Sequence, residues 1–163
     1  MKKIAAAITI AVMLAIAPSV MAGGIKVPKN LCLLFNGPLN GDYHQLSFKS
    51  IGTVIEPEGK IKMYAITGIT TIEPDETVVK FPVNGTAYII PGTNRMHASY
   101  GGMSGVNNID DERRLCSYET DFDLVTGEGP IQYRYDVKGG NDRDNDTAWD
   151  IDCDDMYEYL SGN

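Results

Sequence analysis

Asp142, Asp144 and Asp146 stand at i, i+2 and i+4 in the segment Asn141-Asp142-Arg143-Asp144-Asn145-Asp146. At that spacing a looped backbone can turn several carboxylate oxygens toward a hard cation such as calcium. The likeness to a helix–loop–helix calcium site is partial. Thr147 takes the place of its sharp-turn glycine, Cys153 that of its bidentate glutamate, and the residues that follow alternate like a strand. The segment therefore reads as a polar connection over residues 139–146 with calcium as its candidate ligand, or as a solvated acidic turn.

Other reactive residue types are present without the arrangement that catalysis needs. Gly102-Met103-Ser104-Gly105-Val106 begins like a nucleophile elbow, but Val106 replaces the second glycine of that motif, and no strand-turn-helix pattern surrounds it. His44 and His97 are isolated in sequence, outside any His-Glu-x-x-His zinc motif. Carboxylates are plentiful, yet no insertion suggests the cleft in which a glycosidase holds two of them. The balance leans away from an enzyme and offers no residue as catalytic and no bound cofactor.

Aromatic side chains make a more coherent set. Tyr100, Tyr118, Phe122, Tyr133, Tyr135 and Trp149 all fall on the apolar side of alternating segments. Ile131, Tyr133, Tyr135 and Val137 oppose Gln132, Arg134 and Asp136. Cys116, Tyr118, Thr120 and Phe122 oppose Leu115, Ser117, Glu119 and Asp121, and Trp149, Ile151 and Cys153 oppose Asp150 and Asp152. If the sheet closes, these rings point inward, either lining a ligand cavity or filling the core.

The elements that position them are short strands separated by turn dipeptides, with no sustained apolar pattern at helical spacing apart from a terminal turn over 156–160. Asn84-Gly85 predicts a hairpin between 77–81 and 87–90, Pro57-Glu58-Gly59 a second, and Thr126-Gly127-Glu128-Gly129 a third. The expected fold is all-β: an antiparallel up-and-down meander of eight or nine short strands, closed into a small barrel because closure removes exposed edges, with a two-sheet sandwich as the alternative. The layout is similar to that of small lipocalin-like barrels. It lacks the Gly-x-Trp of their first strand, and the single tryptophan, Trp149, sits on the last predicted strand.

Closure also bears on the cysteines. The first strand would lie beside the last, which favours a Cys32–Cys153 disulfide over Cys116–Cys153 and leaves the remaining thiol buried or paired with another chain. Oxidation is in keeping with the start of the chain. Lys2 and Lys3 precede a 14-residue apolar run, Pro18 breaks it, and Val20-Met21-Ala22 ends it, as in a cleaved signal peptide of bacterial type rather than a membrane span.

Cleavage after residue 22 leaves one 141-residue domain, 23–163, and removes two lysines. Twelve Lys and Arg then face 22 acids, and the formal charge moves from −8 to −10. So acidic a surface disfavours nucleic acid. The expectation is an exported protein, periplasmic or extracellular, that binds a small, partly apolar ligand without catalysis. The alternatives are an envelope or extracellular interaction protein whose acidic loop holds calcium or a basic partner, and a small barrel cyclase or isomerase.

Overall fold

Eight antiparallel strands follow one another around a closed barrel, each hydrogen-bonded to its neighbour in sequence and the last to the first. The structure, a computed structural model, describes residues 25–35, 41–57, 59–72, 79–104, 115–137 and 140–156. The strands are β1 (Asn30–Phe35), β2 (Asp42–Glu56), β3 (Gly59–Ile72), β4 (Val79–Ile89), β5 (Arg95–Met103), β6 (Leu115–Asp123), β7 (Glu128–Val137) and β8 (Gly140–Ile151). The meander and its closure into a barrel are thus as the alternation predicts, with eight strands. Of the region from Ile25 to Phe35, the first strand reads as an unbroken apolar run because both its faces are covered. Leu31, Leu33 and Phe35 point into the barrel, while Cys32 and Leu34 pack outside it.

Register shows how the interior is filled. On β5, β6 and β7, Tyr100 lies opposite Tyr118, and Tyr118 opposite Tyr133. Facing positions elsewhere are small: Tyr100 also lies opposite Gly85, and Ala98 opposite Ala87. Large side chains from one wall thus occupy the space that glycine and alanine leave on the other, the pairing that a narrow barrel needs. Outside, Ser47, Ser99, Ser117, Glu119, Gln132 and Arg134 face water. A membrane-spanning barrel turns an apolar band outward instead.

Two expectations about local structure fail, for physical reasons. Asn84-Gly85 does not turn; it lies inside the continuous strand β4. A Cβ on Gly85 would come within 2.1 Å of the Ser99 carbonyl oxygen and 2.5 Å of the Tyr100 backbone. This glycine makes room for a neighbouring strand rather than supplying a left-handed angle. The turn comes later, at residues 91–94, where Gly92 has φ +72° and the Thr93 hydroxyl donates to the Ile90 carbonyl at 2.9 Å.

The polar segment 139–146 is likewise no loop from residue 140 on. It forms most of β8 and pairs with β7 from Val137↔Gly140 to Glu128↔Trp149. A full ladder of main-chain hydrogen bonds outweighs the weak strand preference of Asp and Asn, which spans only about 1 kcal/mol per residue.

The seam between β1 and β8 has three opposed pairs, Cys32↔Ile151, Leu33↔Asp150 and Leu34↔Trp149. Beside it the Cys32–Cys153 disulfide joins the two ends of the meander with a Cα–Cα distance of 5.3 Å. Residues 153–156 then make one helical turn, earlier in the chain than the sequence suggests; 157–160 lie outside the described residues. Asp152 caps that turn by accepting from the Asp154 amide at 2.9 Å. Met156 at its end packs with Tyr43 and Leu34 on the outer wall, over the seam.

Candidate functional site: the polar chamber of the barrel

Strand β2 carries a polar pair into an apolar interior. Its inward positions read Asp42, His44, Leu46, Phe48, and both polar residues are fully buried. Across the sheet the same face continues with Phe35 opposite Asp42 and Leu33 opposite His44 on β1, and with Ile72 and Thr70 on β3. The rings from β5, β6 and β7 close over the pair. The His44 ring centroid lies 4.4 Å from that of Tyr118, edge to face, 5.5 Å from Tyr100 and 5.0 Å from Phe35. Tyr100 and Tyr118 stack at 5.3 Å, and Tyr133 contacts Tyr135 at 5.3 Å.

Only part of this polarity is satisfied within the protein. The Tyr135 hydroxyl donates to Asp42 Oδ2, and Thr70 Oγ1 lies 3.1 Å from His44 Nδ1. Asp42 Oδ1, His44 Nε2 and the hydroxyl of Tyr100 are buried with no hydrogen-bonding protein partner. A buried polar group left so costs on the order of 1–3 kcal/mol, which makes three in one chamber a feature to be explained.

Burial also resets the chemistry of these groups. Burial pushes Asp42 up from 3.8 to about 7, against the opposing effect of the Tyr135 hydrogen bond. It pushes His44 down from 6.5 to about 3. Tyr100 is raised by burial and then by the nearby Asp42 charge, and Tyr118 and Tyr135 are raised mainly by burial. Near neutral pH the histidine and tyrosines are therefore uncharged. Asp42 is the one chamber group poised to gain or lose a proton, and the tyrosine hydroxyls act as donors.

The aromatic residues expected to point inward divide unevenly. Tyr100, Tyr118, Phe122, Tyr133 and Tyr135 are all buried in the interior. Trp149 is not among them: Ala148 takes the inward position of β8, and Trp149 lies half-buried on the outer wall opposite Leu34. The apolar side exists, but outside the barrel: Ile151 and Cys153 pack there with Cys32, Tyr43 and Met156. Cys116 is also inward and fully buried, next to the tyrosines.

The acidic triplet lies on β8, opposite Tyr135, Tyr133 and Ile131 in register. Asp144 is exposed and Asp146 half-buried, while the Asp142 side chain lies outside the described residues. An extended strand sets same-face residues about 7 Å apart along its length and does not wrap them round one point as a loop would. Among the described residues, no three His, Cys, Asp or Glu side chains gather as a metal would require.

A second constellation sits on the outside. His97 Nδ1 is 2.8 Å from Asp121 Oδ1 and Nε2 is 3.7 Å from Glu119 Oε1, with Tyr88 against the ring at 5.0 Å. His97, Glu119 and Asp121 line a small groove of about 80 Å³. Ser104 is buried at the end of β5, and 105–114 lie outside the described residues.

Sequence reasoning missed Asp42 and treated His44 as solitary. The signal was present in the parity of β2: reading back from Phe48 and Leu46 in steps of two arrives at His44 and Asp42. Comparison with protein-family models, with curated proteins and with solved structures finds no match to this chain.

Proposed function

We propose that this protein is an exported binding barrel that takes a small, partly apolar molecule into its interior without transforming it. One observation carries the reading: polar atoms of Asp42, His44 and Tyr100 are buried without protein partners among stacked aromatic rings. A guest with a hydrogen-bonding head and a flat or aliphatic body meets both needs, since binding sites of this kind are apolar with a few placed polar groups. The rings touch one another, so the guest is small or displaces a ring. Tyr100, whose hydroxyl lacks a hydrogen bond to fix it, is the ring placed to yield. The apolar run after Lys2 and Lys3 and the disulfide favour an oxidising compartment outside the cytoplasm.

A thermal-shift and NMR screen of phenols, aromatic carboxylic acids and short fatty acids tests the reading. The expected result is a raised melting temperature, with shifts at His44 and Tyr100, that Tyr100→Phe and His44→Phe weaken. Absence of any such ligand, together with Tyr100→Phe and His44→Phe variants more stable than wild type, rejects it.

The His97–Asp121 pair favours a second reading, a small isomerase or cyclase that uses the outer groove, because a carboxylate orients an imidazole for general-base work. Turnover of an isomerisable carbonyl compound, lost in His97→Ala but retained in Tyr100→Phe, distinguishes it from the first.

A further inference from the structure

The hairpin of β2 and β3 outgrows the barrel. β1 pairs with β2 only as far as Ser47, and β4 reaches β3 only at Met63. Beyond those points β2 pairs with β3 alone, and from Thr53↔Lys62 to Glu56↔Gly59 the two strands have no other partner among the described residues and form a two-stranded arm. Every residue from Lys49 to Pro57 is exposed, including Ile51 at 57%, Val54 at 43% and Ile55 at 80%. Among the described residues no strand covers the outer edge of β2 along this stretch. An open edge with exposed aliphatic residues is a template for another strand.

We infer that this edge pairs with the same edge of a second copy of the chain, forming a two-fold dimer through an extended sheet. The register follows from the bulge in β2. Ser50 lies opposite Tyr64 and Gly52 opposite Met63, so Ile51 is the extra residue. That extra residue places Lys49, Gly52, Val54 and Glu56 on one face, with Ser50, Thr53 and Ile55 on the other. Antiparallel pairing about a two-fold axis at Thr53 then sets Val54 against Gly52 of the second copy, Ile55 against Ser50, and Glu56 against Lys49.

Each opposed pair shares a face, and the charges match twice over. Ile51, bulged beside Gly52, comes next to Val54 of the other chain and gains cover. The other edge of the arm offers no such match: on β3, Lys60 and Lys62 would face like charges, which destabilise a cross-strand pair.

Sedimentation velocity of the purified full protein, over about two decades of concentration, tests the dimer. The expected result is a concentration-dependent dimer weakened about tenfold or more by Glu56→Lys, which sets two lysine pairs in opposition, and restored by adding Lys49→Glu. Both positions are exposed, so circular dichroism should show an unchanged fold. A wild-type protein that stays monomeric overturns the inference, as does a dimer indifferent to both substitutions. So does a monomer that floats with phosphatidylglycerol vesicles and is released by Ile55→Glu, which would give the arm to a membrane surface.

Discussion

Asp42→Asn should tilt the pH–stability profile upward with pH relative to wild type. Burial raises Asp42 from 3.8 to about 7, so its contribution to stability is complete below 3.8 and is lost as pH rises toward 7. His44 behaves in the opposite sense. Its value falls from 6.5 to about 3, so its contribution is complete above 6.5 and is lost as pH falls toward 3. Between roughly pH 4 and 6.5, unfolding makes Asp42 release a proton while His44 takes one up, and each alone is worth about 1.4 kcal/mol per pH unit. In the wild type the two slopes cancel.

Removing Asp42 as Asn exposes the His44 slope. Stability should then rise with pH by about 3 kcal/mol over that window. His44→Gln should uncover a fall of similar size continuing to about pH 7. Asp150, raised by burial and by Asp152, adds a background common to all three proteins, so differences between their profiles isolate the pair. Urea unfolding followed by far-UV circular dichroism at four pH values measures this. Parallel profiles for wild type and Asp42→Asn would refute the buried, neutral chamber.

Three further outcomes are expected. Replacing both Cys32 and Cys153 with Ala should cost about 4 to 5 kcal/mol by the chain-entropy relation for a bridge spanning 121 positions, and a melting temperature unmoved by reductant would contradict it. Gly85→Ala drives a methyl group into Ser99 and Tyr100 backbone atoms and should cost roughly 3 kcal/mol, whereas a fall below about 0.5 kcal/mol in urea unfolding would mean that β4 and β5 are not so closely apposed. Cys116, fully buried, should react with iodoacetamide only as the barrel opens; labelling at the rate of a small thiol in native buffer would place it at the surface.

The barrel was legible because most of its strands have one wet face. Ile131 to Val137, Leu115 to Phe122 and Arg95 to Tyr100 alternate cleanly, and the meander they imply brings Cys32 next to Cys153. What escaped was whatever depended on neighbours distant in sequence. Gly85 carries the local mark of a turn, yet its role is set by Tyr100 on the adjoining strand. The Asp-rich half of β8 has no strand preference of its own and is held by β7. Trp149 shares a strand face with Ile151, and that face is the outer one, covered at Ile151 by Tyr43 and Met156, contacts that no local pattern announces. His44 is polar, which by itself suggests the surface, although its parity with Leu46 and Phe48 points inward.

The disulfide at the seam has one more consequence, for durability. Between Cys32 and Cys153 the backbone and the bridge together make a covalent ring that contains almost every strand residue. A protease that cuts one exposed turn, such as residues 91–94, opens the ring without dividing it. The cut ends stay on one molecule, held in the same sheet by their hydrogen-bonded neighbours. Losing the barrel to digestion then takes two cuts, or one cut and a reductant.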